Sequence, residues 1–169
     1  LPVLNRTDRD FFFLRRRDPE TVVQTIAQLC QTRLPKNMGI PATEIQVLSP
    51  TRKGETGTKN LNLALQAVLN PPAAGKKEKR YGDFSFREGD RVMQIKNNYD
   101  IPWKKGSFEG TGVFNGDIGT VLRISYHEQK VEVDFDGRKA FYEFSALEEL
   151  EHAYAITVHK SQGSEYPVV

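Results

Sequence analysis

Hydrophobic positions change their spacing along this chain, and each change marks a new kind of element. Phe11–Arg16 is an aromatic and aliphatic run that suits a buried strand. Asp18, Pro19 and Glu20 follow as N-cap, first-turn proline and early acid. Val22, Val23, Ile26, Ala27, Leu29 and Cys30 then recur at helical spacing. The stretch 35–41, proline at both ends, is expected to break that helix. Ile45–Leu48 reads as a second buried strand and runs into the polar loop Ser49–Gly54. Leu61, Leu63, Ala64, Leu65, Ala67, Val68 and Leu69 mark a second helix, closed by Asn70, Pro71 and Pro72. Two successive strand–helix units imply parallel strands joined by crossover helices.

The next part of the chain has another rhythm. Residues 73–82, rich in lysine and glycine, read as a solvated linker. From Phe84 to about Phe144, short strands alternate with turn signals, the pattern of a small antiparallel barrel. Asn115-Gly116 and Asp136-Gly137 tolerate the positive φ angles of tight hairpins, and 127–129 supplies another reversal. Val131–Asp136 alternates strictly, so one face is buried while the acids meet water. Ser145–Glu151 turns acidic and helical.

The chain closes on Ala153–Glu165, where an apolar run carries a hydroxyl, an imidazole, an ammonium, an amide, a glycine and a carboxylate in quick succession. That mixture suits contact with phosphate and ribose. Read as a helix over 149–162, it places Leu150, Ala153, Tyr154 and Val158 on one face, with Gly163 as the stop. Read as a strand, it alternates Tyr154, Ile156 and Val158 with Ala155, Thr157 and His159. Helix is the preferred reading, and both put His159, Lys160 and Gln162 at the terminus of a buried element. An all-β segment thus lies between two α/β pieces. The expected layout is one parallel-sheet domain, incomplete and interrupted by a small barrel, with separate beads as the alternative.

Composition adds limits. The 169 residues are 38% hydrophobic and 27% charged, with 24 Lys or Arg against 22 Asp or Glu, so the net charge is +2 and does not announce a nucleic-acid binder. Its distribution says more: residues 1–80 carry +7, residues 81–147 carry −2 and residues 148–169 carry −3. The single cysteine, Cys30, excludes an intramolecular disulfide and suits a reducing, cytoplasmic setting as a small buried hydrophobe. No apolar run approaches the roughly 18 residues of a membrane span. The first residue, Leu1, and the strand-like close Tyr166–Val169 suggest a piece of a longer polypeptide.

The chemistry concentrates in a few places. In open parallel sheets ligands gather beyond the carboxyl ends of strands, which is where Ser49–Gly54 sits. There Ser49 and Thr51 can donate to phosphate oxygens and Arg52 and Lys53 can neutralise charge. A basic surface loop without a ligand is the alternative. No segment satisfies G-x-x-x-x-G-K-[ST], and no acidic dyad ends an apolar strand to hold magnesium, so hydrolysis of a nucleotide by this chain alone is not expected. His127, His152 and His159 have no metal-ligand spacing. Trp103, flanked by Lys104 and Lys105, is a candidate for stacking on a base, with a ring folded onto the barrel surface as the favoured alternative.

Ala153–Glu165 resembles motif V of superfamily 1 helicases in the form carried by RecD-like proteins. Ile45–Gly54, with Leu61, Asn62, Leu65, Gln66, Leu69, Asn70 and Pro71, resembles the motif IV region of that family. Phe86–Gln94, Asn97–Asp100 and Asn115–Gly119 resemble its inserted barrel. The resemblance implies an α/β RecA-like (P-loop NTPase-type) domain, 2A, over residues 1–72 and 147–169. A linker at 73–82 and an SH3-like 2B barrel at 83–146 would interrupt it.

It also implies a function. Such proteins, alone or as the alpha subunit of exodeoxyribonuclease V beside its beta and gamma subunits, use ATP and Mg2+ to move 5′ to 3′ along single-stranded DNA in recombination and repair. Carried over, Ser49, Thr51, Lys53, Thr157 and His159 would lie on the DNA path, with Tyr99 and Trp103 as further candidates. Gln162, Gly163 and Glu165 would lie near the nucleotide cleft. The phosphate-binding lysine and the arginine of motif VI would belong to other parts of the parent, leaving this segment without ATPase activity. The alternatives are a non-catalytic nucleic-acid-binding module and the motor part of a relaxase–helicase fusion.

Overall fold

The computed structural model describes residues 10–169. Its first helix, α1 (Pro19–Gln28), begins where the sequence places it: Asp18 is extended and its carboxylate accepts from the Thr21 amide at 2.7 Å. The expected break at Pro35 does not occur. A π-turn over Leu29–Arg33 widens the helix and the chain continues as α2 (Leu34–Met38), ending at Gly39 with φ 67°. Proline removes one helical donor and crowds the carbonyl four residues back, and the wider turn accommodates both effects.

Most of the strand content is antiparallel. Strands β4 (Arg91–Gln94), β5 (Asn98–Lys105), β6 (Phe108–Val113), β7 (Ile118–Ser125), β8 (Lys130–Phe135), β9 (Arg138–Glu143) and β10 (Leu150–His152) form a seven-stranded sheet in the order β10-β4-β7-β8-β9-β5-β6. It packs around Phe86, Val92, Val121, Ile124, Val131, Val133, Phe135 and Tyr142, so the alternation read in Val131–Asp136 holds. A close approach at Gly119 tightens it: a Cβ there would lie 2.5 Å from the Asp134 carbonyl oxygen. A separate hairpin pairs β2 (Glu78–Tyr81) with β3 (Phe84–Arg87), so the second half of the stretch read as a linker is strand.

Parallel pairing is small. It joins β1 (Val47–Ser49) to β11 (Ala155–Thr157), supplemented by a single bridge from Ile45 to Val168. The expectation of an α/β RecA-like parallel-sheet domain is therefore corrected: the described residues form mainly antiparallel sheet with few helices. One reason lies at Phe11–Arg16, expected to be a buried strand. These residues pair with no strand among those described and stand in solvent, Phe12 being 60% exposed. Hydrophobic runs identify strand-forming sequence but supply no partner edge. The preferred helix over 149–162 is also corrected, because the chain there runs β10, β11 and then a 3₁₀ turn, His159–Ser161. The acidic stretch before it forms the 3₁₀ segment Phe144–Glu149.

Helix α3 (Thr58–Leu69) ties these parts together. Leu61 and Leu65 enter a core with Cys30, Ile45, Tyr154 and Ala155, where burial pushes the Cys30 thiol up to about 11. A polar stripe at i, i+4 and i+8, Asn62, Gln66 and Asn70, is buried beside them. The Asn62 side chain donates to the carbonyls of His152 and Ala155 and accepts from the Ala155 amide at 2.8 Å. Gln66 and Asn70 donate to Asp90 at 2.6 and 2.7 Å. Asp90, fully buried, also receives the Arg87 amide at 2.7 Å and the Tyr154 hydroxyl at 2.9 Å, and lies 3.1 Å from the His152 ring. Among the described residues, no helix is long and apolar enough to cross a membrane.

Burial alone would raise the Asp90 pKa, but the hydrogen bond and charge of His152, with the Asn70 and Arg87 bonds, outweigh it and hold the carboxyl below its ordinary value. Its contribution to stability is thus present above the unfolded carboxylate value of about 3.9 and is lost as pH falls through the lower folded value. Replacing Asp90 by Ala strands several buried donors and is expected to cost about 3–5 kcal/mol in urea unfolding at neutral pH. The variant should also lose less of its remaining stability than the parent on acidification below about pH 4.

Candidate functional site

The loop after β1 is wound tightly before α3 begins. Ser49 is buried, and its hydroxyl donates to the Thr56 carbonyl at 2.9 Å and accepts from the Thr51 amide. Both bonds shape the loop, as does the Thr51 hydroxyl, which donates to the Lys53 carbonyl at 3.2 Å. The amides of Thr58 and Lys59, at the helix start, donate to the carbonyls of Thr51 and Arg52. Gly57 makes this possible, since a Cβ there would lie 2.4 Å from the Lys53 carbonyl oxygen. The exposed side chains of the loop are Pro50, Thr51, Arg52, Lys53 and Glu55.

The parallel pair brings the closing stretch to the same place. Ser49 registers with Thr157, and the Val158 amide donates to the Ser49 carbonyl at 3.1 Å. The Thr157 hydroxyl accepts from the Lys160 amide at 3.2 Å, which closes the 3₁₀ turn. Thr157 and Lys160 are half-buried and His159 is exposed. Burial holds the Lys160 ammonium below the usual lysine value, opposed by Glu151 and reinforced by the charge of Arg52.

Arg52, Thr58, Glu151, Thr157 and Lys160 line one small cavity, and Glu151 forms an ion pair with Arg52 inside it. Two cations, two hydroxyls and one carboxylate meet there. The two cations can attract an anion, and the carboxylate neutralises part of their charge. Arg52 and Lys160 were legible as cations, but Glu151 was not: it comes from β10, and nothing in the acidic run 148–151 shows that Glu151 meets Arg52 while Glu149 meets Gln94 and Asn98.

The remaining candidates lie elsewhere. Trp103 is folded onto the sheet, its ring against Gly110 and under the Arg138 guanidinium at 5.8 Å. That is the packing alternative rather than a free stacking surface. Tyr99 is 66% exposed and meets Phe114 edge to face at 5.5 Å. Gln162, Gly163 and Glu165 are exposed on the far side of the 3₁₀ turn. Among the described residues, no group of His, Cys, Asp or Glu could hold a metal ion.

Residues 61–135, from within α3 through β8, match the SH3 domain of ATP-dependent RecD-like DNA helicases. An ATP-dependent RecD2 DNA helicase of Deinococcus radiodurans is 37% identical over 134 residues, covering 79% of this chain. The chain belongs to the RecD-like DNA helicase family. An uncharacterized protein of Methanocaldococcus jannaschii is also similar, 32% identical over 164 residues and 88% of this chain. The chain spans 16% and 14% of the lengths of these two relatives. The family match reaches past the antiparallel sheet into α3, the helix that joins the sheet to the anion cluster.

The tight loop can be tested directly. Gly57→Ala is expected to cost about 1–3 kcal/mol by thermal unfolding, because its Cβ meets backbone that must shift. It should also speed hydrogen exchange at the Thr58 and Lys59 amides; unchanged exchange would mean that the loop is not pinned there.

Proposed function

We propose that this segment is a DNA-engaging part of an ATP-dependent helicase that moves 5′ to 3′ on single-stranded DNA in recombination or repair. ATP and Mg2+ are bound by other parts of the parent protein, and the segment by itself has no ATPase activity. The observation that carries this reading is the cluster of Arg52, Lys160 and Thr157 at the shared carboxyl ends of β1 and β11. Phosphodiester oxygens suit such a site, because cations supply affinity while hydroxyls and a fixed backbone set register. Thr51, Lys53 and His159, exposed beside it, extend the same path.

Glu151 gives the site a resting partner. In the absence of a strand it pairs with Arg52, and a phosphate group must displace it. The pair is partly exposed, so its own strength is modest and displacement is feasible.

The phosphate reading fixes the expected effects of charge. Lys160→Ala should weaken binding of the chain to an oligothymidylate and lower the magnitude of the slope of log K against log salt by about 0.7. Glu151→Gln should tighten binding by releasing Arg52. An unchanged salt slope in the first variant, measured by fluorescence anisotropy, would remove Lys160 from the DNA path. In the full-length parent, Thr157→Ala and His159→Ala should each lower DNA-stimulated ATP hydrolysis more than basal hydrolysis. Equal losses would argue against contact with the strand.

A further inference from the structure

The anion cluster does not end at Glu151. It opens into a second cavity of about 270 Å³ between α3 and the β2–β3 hairpin. The two share Arg52, Thr58, Asn62, Glu151 and His152 as wall residues. Their linings differ in kind: the first gathers Lys160 and Thr157, whereas the second presents Leu63, Tyr81 and Phe84. Phosphate chemistry and flat apolar surface are therefore adjacent, in the order in which a nucleotide carries them.

Leu63 shows that the apolar wall is not merely the edge of the core. It is 44% exposed on α3, while Leu61 and Leu65 on the same helix are almost fully buried. On the opposite wall the rings of Tyr81 and Phe84 meet edge to face, centroids 5.9 Å apart, and Phe84 is braced in turn by Phe86 and His152. A braced aromatic pair facing an exposed leucine forms a slot with little side-chain freedom left to lose on binding. Lys59 and Asp83 stand among the lining residues with polar groups.

We propose that this cavity is a base-binding subsite, receiving one unstacked base of a single strand whose phosphate lies at Arg52 and Lys160. The inference rests on the reading of the segment as DNA-engaging and adds a position to it. Base–aromatic stacking tolerates any base, as a translocating protein requires. The slot belongs to the β2–β3 hairpin and α3 together, so a base held there also holds the hairpin against the helix.

Fluorescence anisotropy with the 169-residue chain tests this. A labelled oligothymidylate is compared with a sugar–phosphate strand of equal length that lacks bases. The unmodified chain is expected to prefer the base-bearing strand by at least about fivefold, the lower end for one stacked base. Tyr81→Ala and Leu63→Ser should each remove most of that preference, and Tyr81→Phe should keep it. Leu63 is exposed, so its variant stays informative should Tyr81→Ala disturb the hairpin. Equal affinity for the two strands, or a preference unchanged in Leu63→Ser and in folded Tyr81→Ala, would overturn the subsite while leaving the DNA path standing. Failure of the unmodified chain to bind either strand would instead overturn the parent reading, and the subsite with it.

Discussion

The buried carboxylate of Asp90 is the constraint on which the rest of this structure depends. It sits in the turn between β3 and β4 and accepts from the amide side chains of Gln66 on α3 and Asn70 at its C-cap, a backbone amide of its own turn and a tyrosine from just before β11. A buried charge is tolerable only when its lone pairs are filled, and filling them requires the sheet, the helix and the closing stretch to be in place at once. One ion thereby links elements separated by sixty or so residues of sequence and makes their packing mutually dependent.

The same helix carries that constraint to the functional surface. Asn62 lies one helical turn from Gln66, and it clamps the backbone of Ala155 from both sides. That clamp holds the residues before Thr157 extended against β1, and so sets where Thr157 and Lys160 emerge. At the other end, the tight loop over Gly57 delivers Arg52 to the same point. The site is built from two loops, but a helix with a fully used polar stripe positions both of them. Precision there comes from buried amides and not from the side chains that would touch a ligand.

Charge at the site is local. The segment as a whole is nearly balanced, and its acidic excess in residues 148–169 lies beside the cationic cluster. Glu151 shows why a tally by segment misleads: it pairs with Arg52, while Glu149 meets Gln94 and Asn98 and Glu148 pairs with Lys96. An anion site with an internal counter-charge favours exchange over tight capture.

The sequence by itself determined the local elements with strong signals: the cap of α1 at Asp18, the α3 register of Leu61 and Leu65, the alternation of β8, and the motif-like residues that place the chain among the RecD-like helicases. These depend on neighbours within a few residues, so spacing alone reveals them. Tertiary structure decided the rest. Residues 153–159 fitted a helix, the preferred reading, or a strand, and Ala155–Thr157 became strand where Asn62, ninety-three residues from Ala155, satisfies the Ala155 backbone. Phe11–Arg16 had the composition of a strand and no partner edge among the described residues, and the parallel pairing came out as one short pair. Ser49 is a donor to phosphate by residue type, and its hydroxyl is bonded inside its own loop. Hydrogen-bond partners and strand edges are properties of pairs distant in sequence, and no periodicity within one segment encodes which distant group will be there to meet it.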